Sequence, residues 1–241
     1  HFGAVDYYCR VWVNDIFVGE HKGGYTPFHF DITAKVEPKN NVVVIKVEDS
    51  QSLDQPRGKQ SWTDPFSCWY TPVSGIWQSV WIESVGWNYI EDIFFKTIPT
   101  EKPLKEEAIC LVDITLNMPA PKSKIKLELE FEGTIIQNKT VEAHYPLTTV
   151  VFHIPAPELW SPEKPSLYDI SVILFDDTTT KDKIHSYTGL RIVSLNEKGL
   201  FINGVNYHQK LILDQGYWPD GIYTPKNTDA YKLDIELSKK M

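Results

Sequence analysis

The sequence predicts a mainly β chain that ends in the opening unit of an α/β structure, and three patterns predict it. Apolar and mixed residues alternate with period two from Val5 to about Val151. Between residues 89 and 192, strand-like runs recur at ~8–15-residue spacing with turn residues between them. After Pro225 the period changes to that of a helix, and a strand-like run precedes it.

In the first unit, Val5, Tyr7, Cys9, Val11 and Val13 alternate with Asp6, Tyr8, Arg10 and Trp12, giving a strand with one apolar face. Asn14-Asp15 is a turn-prone pair, so Ile16-Phe17-Val18 continues the pattern as the return arm of a hairpin. Gly23-Gly24 interrupts it. Further strands are expected over Tyr25 to Thr33, Asn41 to Glu48 and Gly75 to Val85. Asp49 to Ser74 reads as an irregular stretch holding Pro56, Gly58, Pro65 and Pro72 with Trp62, Trp69 and Tyr70. Loops of that length inside a compact domain are more often functional than decorative. About five strands before Gly86 make half of a double-sheet jelly roll, which has eight.

The second unit is expected to carry strands at 90–97, 108–117, 124–131, 134–141, 148–154, 167–175 and 183–193. That number and spacing suit an immunoglobulin-like sandwich. The stretch from Pro155 to Pro162 is proline-punctuated and extended. Next, Asn203-Gly204 turns a hairpin between Gly199 and Val205, and Tyr207 to Leu213 reads as a strand. Thr228 is a candidate helix cap, with Asp229 in the first turn and Lys239-Lys240 at the end. Tyr231, Ile235 and Leu237 share a face of that helix with Leu233 beside them. A strand, a loop and a helix are the first unit of a parallel α/β structure.

Composition narrows the function classes. Hydrophobic residues make up 42% and charged residues 23%, ordinary for a globular chain. Aromatics reach 13%, with 8 Trp and 12 Tyr, a richness that suits both a β core and a surface for flat sugar faces. The net charge of -8 and the lack of a Lys/Arg cluster exclude a nucleic-acid partner. Cys9, Cys68 and Cys110 are widely spaced and form neither a disulfide framework nor a zinc signature, so buried free thiols are expected. No apolar run approaches the ~18 residues of a membrane span, so no membrane insertion is expected. Residue 1 is His and stands directly before a strand-like run; the native chain is expected to start upstream, with a periplasmic or secreted parent favoured over a cytoplasmic one.

Several motifs, in order, resemble glycoside hydrolase family 2, the family of β-galactosidases, β-glucuronidases and β-mannosidases. Val11-Trp12-Val13-Asn14-Asp15, Val18-Gly19-Glu20-His21 and the run from Gly23 to Ile32 are similar to its sugar-binding domain signature. Gly75 to Glu83 resembles the closing strand of that domain. Leu159-Trp160-Ser161-Pro162 with Pro165-Ser166-Leu167-Tyr168 resembles its sandwich domain. Thr188-Gly189-Leu190-Arg191 before Phe201-Ile202-Asn203-Gly204 resembles the entry into its barrel, and Leu213 to Thr224 points to a bacterial branch. His208 lies too early in its run for the Asn- and His-containing segment of the better-known β-galactosidases.

The resemblance implies an incomplete jelly-roll sugar-binding domain at 1–87, an immunoglobulin-like β-sandwich at 88–192, and the first strand and helix of a (β/α)8 barrel at 193–241. It implies a retaining glycosidase whose two carboxylates, ~5–5.5 Å apart, act as nucleophile and acid/base. Both are Glu on later barrel strands, so no residue here is assigned as catalytic. The chain is then the front portion of a β-glycosidase, inactive by itself, with a β-glycoside carbohydrate as the substrate and a homo-oligomer open to the full-length protein. No cofactor and no metal are expected. Candidate substrate contacts are Asp214, Gln215, Tyr217 and Trp218, at the C-terminal end of the first barrel strand, where barrel enzymes build their sites. The Arg57-Gly58-Lys59-Gln60 run with Trp62 and Asp64 on the long loop is the second group, Arg57 to grip a carboxylate or hydroxyl pair and Trp62 to stack. Tyr25 and His29 read as structural, because they alternate with core positions. The competing reading is a free-standing carbohydrate-binding or adhesion protein, which leaves the terminal helix without a sheet to cover.

Overall fold

A computed structural model describes residues 1–241 except Gln51, Leu53, Thr63 and Thr178. The chain forms two compact units, one of residues 1–83 with 211–241 and one of residues 84–210.

In the first unit, β1 (Val5–Asp6), β2 (Tyr8–Val13), β3 (Ile16–Lys22), β4 (Val43–Glu48) and β5 (Gly75–Ile76) are all paired antiparallel. β2 lies between β3 and β4, and β1 pairs with β5. Asn14 and Asp15 adopt positive φ of 49° and 64°, the left-handed turn geometry that lets β2 and β3 twist together. Phe2, Val5, Cys9 and Val11 form a small core, with Phe28, Phe30 and Ile45 packed against it. Two expected strands do not form as drawn. Tyr25 to Thr33 is irregular apart from a bridge between Phe28 and Phe2, since Pro27 has no N–H to give and Asp31 turns the chain by accepting from Thr33 N at 2.8 Å. Gly75 to Val85 keeps ladder pairing only at β5 and in a bridge from Val80 to Phe2. The described residues of Asp49 to Ser74 hold no named strand, as expected.

The second unit is built on β6 (Ile90–Ile98), β7 (Glu107–Leu116), β8 (Lys124–Phe131), β9 (Thr134–Glu142), β10 (Leu147–Pro155), β11 (Tyr168–Asp176) and β12 (Thr179–Thr188). Their order is β10-β7-β6 in one sheet and β12-β11-β8-β9 in the other, the two-sheet arrangement of an immunoglobulin-like sandwich. Alternate residues fill its core: Cys110, Val112 and Ile114 from β7, Ile125, Leu127 and Leu129 from β8, Phe152 from β10, and Ile170, Val172 and Leu174 from β11. Tyr168, buried at the start of β11, accepts a 2.7 Å hydrogen bond from the backbone N–H of Glu158, ten residues upstream. That corner pins the proline-punctuated segment onto the sandwich. Cys9 and Cys110 are buried; burial pushes the Cys110 thiol up to about 11, while Cys68, against expectation, is exposed.

The seventh strand ends at Thr188 rather than Val193, because a Cβ on Gly189 would meet Trp160 at 3.0 Å and the chain leaves the sheet there. A meander of β13 (Val193–Asn196), β14 (Gly199–Ile202) and β15 (Val205–Asn206) follows, with the Asn203-Gly204 turn as expected. Tyr207 to Leu213 forms no strand, and Leu211 and Leu213 are largely exposed. The one helix among the described residues, α1 (Thr228–Lys240), belongs to the first unit. Its cap is Asn227, whose side chain accepts from Ala230 N at 3.2 Å, so Thr228 is the first helical residue instead.

Candidate functional site

Within the first unit the long loop and the segment after residue 211 meet. Gln60, 2% exposed, donates from Nε2 to the Tyr223 hydroxyl at 3.0 Å and to the Tyr25 hydroxyl at 3.5 Å, while its Oε1 accepts from Val73 N. Its amide is thereby fully committed, and the side chain holds the loop against residues more than 150 positions away in sequence. The Tyr25 and Tyr223 hydroxyls lie 3.1 Å apart. Tyr70 stacks on Tyr217 with centroids 4.1 Å apart and planes 14° from parallel, and Tyr217 meets Tyr223 edge-on at 5.0 Å. Trp77 packs edge-on against both Tyr25 and Tyr223, its Nε1 donates to Gly24 O at 2.7 Å, and its carbonyl accepts from Thr224 Oγ1 at 2.6 Å.

Burial, and then the neighbouring Tyr223 phenol, raise the hydroxyls of Tyr25 and Tyr217 above the ordinary tyrosine value. They therefore stay protonated, able to donate or accept hydrogen bonds. Asp6 lies beneath this cluster, 2% exposed, with an Oδ1 that has no hydrogen-bond partner among the described residues. That oxygen presses on Gly24, where a Cβ would come within 2.3 Å of it. Burial first, and the charge of Asp49 second, push the Asp6 carboxyl up to about 6. A cleft of about 1120 Å³ opens alongside, walled by Tyr25, Trp77, Trp81, Tyr223 and Tyr231.

The six residues chosen from sequence divide. Tyr217 is half-buried inside the tyrosine cluster. Asp214 is exposed, and its Oδ1 accepts from Gly216 N at 2.8 Å, which shapes its own turn. Gln215 is half-buried beside it. Trp218 turns toward α1: its Nε1 donates to Asp234 Oδ2 at 3.1 Å and its ring meets Tyr231 edge-on at 5.2 Å. Arg57 is half-buried on the long loop, three residues before Gln60. Trp62, 44% exposed, packs on Phe66 and Trp69. None of the six borders the 1120 Å³ cleft, which shares Tyr25 and Tyr223 with the cluster. Gln60 lay in the candidate run Arg57-Gly58-Lys59-Gln60 without a role of its own, Tyr70 and Tyr223 were not given as contacts, and Tyr25, read from sequence as structural, is 41% exposed with its hydroxyl in the cluster. The signal for Gln60 was a long polar side chain next to Arg57-Gly58-Lys59 in a loop otherwise rich in aromatics. Among the described residues no three His, Cys, Asp or Glu side chains converge as a metal centre requires.

Comparison with known proteins explains the layout. The family model described as glycosyl hydrolases family 2, sugar binding domain matches residues 1–84, and that described as glycosyl hydrolases family 2 matches residues 88–191. A β-galactosidase of Thermoanaerobacter pseudethanolicus is 28% identical over 99% of this chain, which covers 33% of that protein. A β-galactosidase of Halalkalibacterium halodurans is 26% identical over 86% of the chain, corresponding to 20% of its length. The chain thus spans about a third or less of the curated relatives it matches. Two solved structures share the fold. A β-glucuronidase from Ruminococcus gnavus superposes with a TM-score of 0.80 at 18% identity, over 99% of this chain and 40% of that one. A β-glycosidase from Bacteroides vulgatus gives 0.78 at 23% identity, over 97% and 29%. With two models of one family matched in sequence order across both β units, the chain belongs to glycosyl hydrolases family 2.

Proposed function

We propose that the chain is the front, non-catalytic portion of a retaining β-glycosidase, supplying a wall of the cleft that takes a β-glycoside. In this reading residues 1–87 are the sugar-binding domain, 88–192 the immunoglobulin-like sandwich and 193–241 the start of the catalytic barrel. The observation that supports it most is the meeting of the two segments chosen as substrate contacts. Gln60 on Tyr223 and Tyr70 on Tyr217 bring the long loop and the 214–223 segment into one aromatic, hydroxyl-bearing surface. Such surfaces suit sugars, whose ring C–H faces lie on π systems while their hydroxyls exchange hydrogen bonds with neutral phenols. The named activities of the relatives, β-galactosidase and β-glucuronidase, support the reaction class.

Cleavage needs a pair of carboxylates ~5–5.5 Å apart, placed by the family resemblance on later barrel strands. Purified residues 1–241 are therefore expected to release no chromophore from p-nitrophenyl β-D-galactopyranoside or β-D-glucuronide. In the full-length enzyme, Arg57→Ala and Trp62→Ala are expected to lower kcat/KM about 10-fold or more, with a loss confined to KM marking ground-state binding. Robust turnover by the chain alone, or unchanged kcat/KM in both variants, overturns the proposal.

A further inference from the structure

The loop between Gln60 and Tyr70 is closed at its base and carries three aromatic rings beyond it. A parallel bridge joins Gln60 to Tyr70, with Ser61 N donating to Tyr70 O and Tyr70 N to Lys59 O, each at 2.8 Å. Its tip is a turn in which Trp69 N donates to Phe66 O at 2.9 Å and Ser67 adopts a φ of 51°. The rings gather on each other. Trp62 meets Phe66 at 6.0 Å and 76°, and Trp69 at 5.7 Å and 58°. Trp62 is 44% and Phe66 45% exposed. Leaving such surface in water forgoes the stabilisation that burial gives, and exposed aromatic patches mark binding sites.

From this arrangement we infer that Trp62, Phe66 and Trp69 form a distal carbohydrate subsite, which stacks a second sugar ring of an oligosaccharide whose first ring occupies the tyrosine cluster. The inference rests on the function proposed above and extends it to substrate length.

Three features select a sugar as the occupant. At ~150–250 Å² per aromatic side chain, the three rings expose roughly 150–300 Å². That is well short of the ~800 Å² per partner of a stable protein interface, and of the right order for one pyranose face. The net charge of -8 excludes a nucleic-acid strand stacking its bases there. The loop base is also continuous with the cluster, because Gln60 holds Tyr223 and Tyr70 holds Tyr217. The loop lies within the region matched to the family's sugar-binding domain.

The test uses residues 1–241 and two ligand sets: β-1,4-linked galacto-, cello-, manno- and xylotetraose, and the methyl β-glycoside of each sugar. Binding is read by saturation-transfer NMR and calorimetric titration. At least one tetraose is expected to bind about 10-fold more tightly than its methyl glycoside, the size of one aromatic contact. Phe66→Ala and Trp69→Ala should each cut that advantage to less than about 2-fold while leaving methyl-glycoside binding unchanged. Trp62→Tyr, which keeps a ring, should retain the advantage, whereas Trp62→Leu, which keeps only apolar bulk, should lose it; that pair decides the question if the alanine variants fail to fold. The inference is overturned if no tetraose gains over its methyl glycoside, or if the gain survives loss of both Trp rings. Absence of methyl-glycoside binding alongside a Trp62-dependent tetraose gain would instead sink the tyrosine-cluster reading and leave the loop as the carbohydrate site.

Discussion

Asp6 shows how much one side chain can carry. A carboxyl 2% exposed, with an orphaned oxygen against Gly24 and Asp49 nearby, titrates near 6 instead of 3.8. Because the folded value is raised, the folded state holds its proton more tightly than the unfolded chain does. Its stabilising share is complete below about 3.8 and is lost as pH rises to about 6. A shift of this size corresponds to roughly 2–3 kcal/mol. Asp6→Asn is therefore expected to be more stable than the parent at pH 7 by about that amount and to match it at pH 4. Urea unfolding of both proteins at pH 4, 5, 6 and 7 checks this, and a constant difference across the range refutes it. The pattern of the sequence placed Asp6 on the non-core side of its strand, and nothing local marked it as buried, because its burial comes from the 24–25 turn and from β5. The pairing of Gln60 with Tyr223 was illegible for the same reason: the two lie 163 residues apart. Tyr217, named for following a run expected to be a barrel strand, falls in the tyrosine cluster although that run forms no strand.

At the scale of elements, strands with neighbours on both sides were easiest to read. β8 begins and ends at the expected residues, and Ile125, Leu127 and Leu129 alternate with Lys124, Lys126 and Glu128 as the two faces of its sheet demand. Where a segment lacks a continuous partner the pattern misled. Tyr25 to Thr33 carries the alternation of a strand but spends its backbone on turns, and Tyr207 to Leu213 has no ladder at all among the described residues. A parallel strand is stabilised by flanking strands, so its apolar run alone does not fix it. The contrast gives a quantitative expectation. Leu127→Ala, emptying the sandwich core, should cost about 2–5 kcal/mol, whereas Leu195→Ala on the exposed β13 should cost less than about 0.5 kcal/mol. Chemical denaturation of the two variants distinguishes them, and comparable losses would mean that the core is misplaced.

For the whole molecule, the apolar surface that remains uncovered is the salient fact. Tyr231, Leu233, Ile235 and Leu237 on α1 are about half exposed, and no residue of the helix is buried. Leu211 and Leu213 add to this exposed apolar surface. As a 241-residue polypeptide the protein is expected to self-associate through these surfaces. Leu233→Glu with Ile235→Lys should shift it toward monomer in sedimentation velocity at micromolar concentration, and an unchanged distribution would place the sticky surface elsewhere.

The central claim is that the surface of Tyr70, Tyr217 and Tyr223, held in place by the buried Gln60, contacts sugar. Saturation-transfer NMR on residues 1–241 with methyl β-D-galactopyranoside and methyl β-D-glucuronide tests it most directly, with Gln60→Ala and Tyr217→Ala compared at matched thermal stability. Transfer to ring protons of at least one glycoside, lost in both variants, is the expected result. Absence of transfer from the parent chain, or transfer that persists in both variants, would contradict the claim.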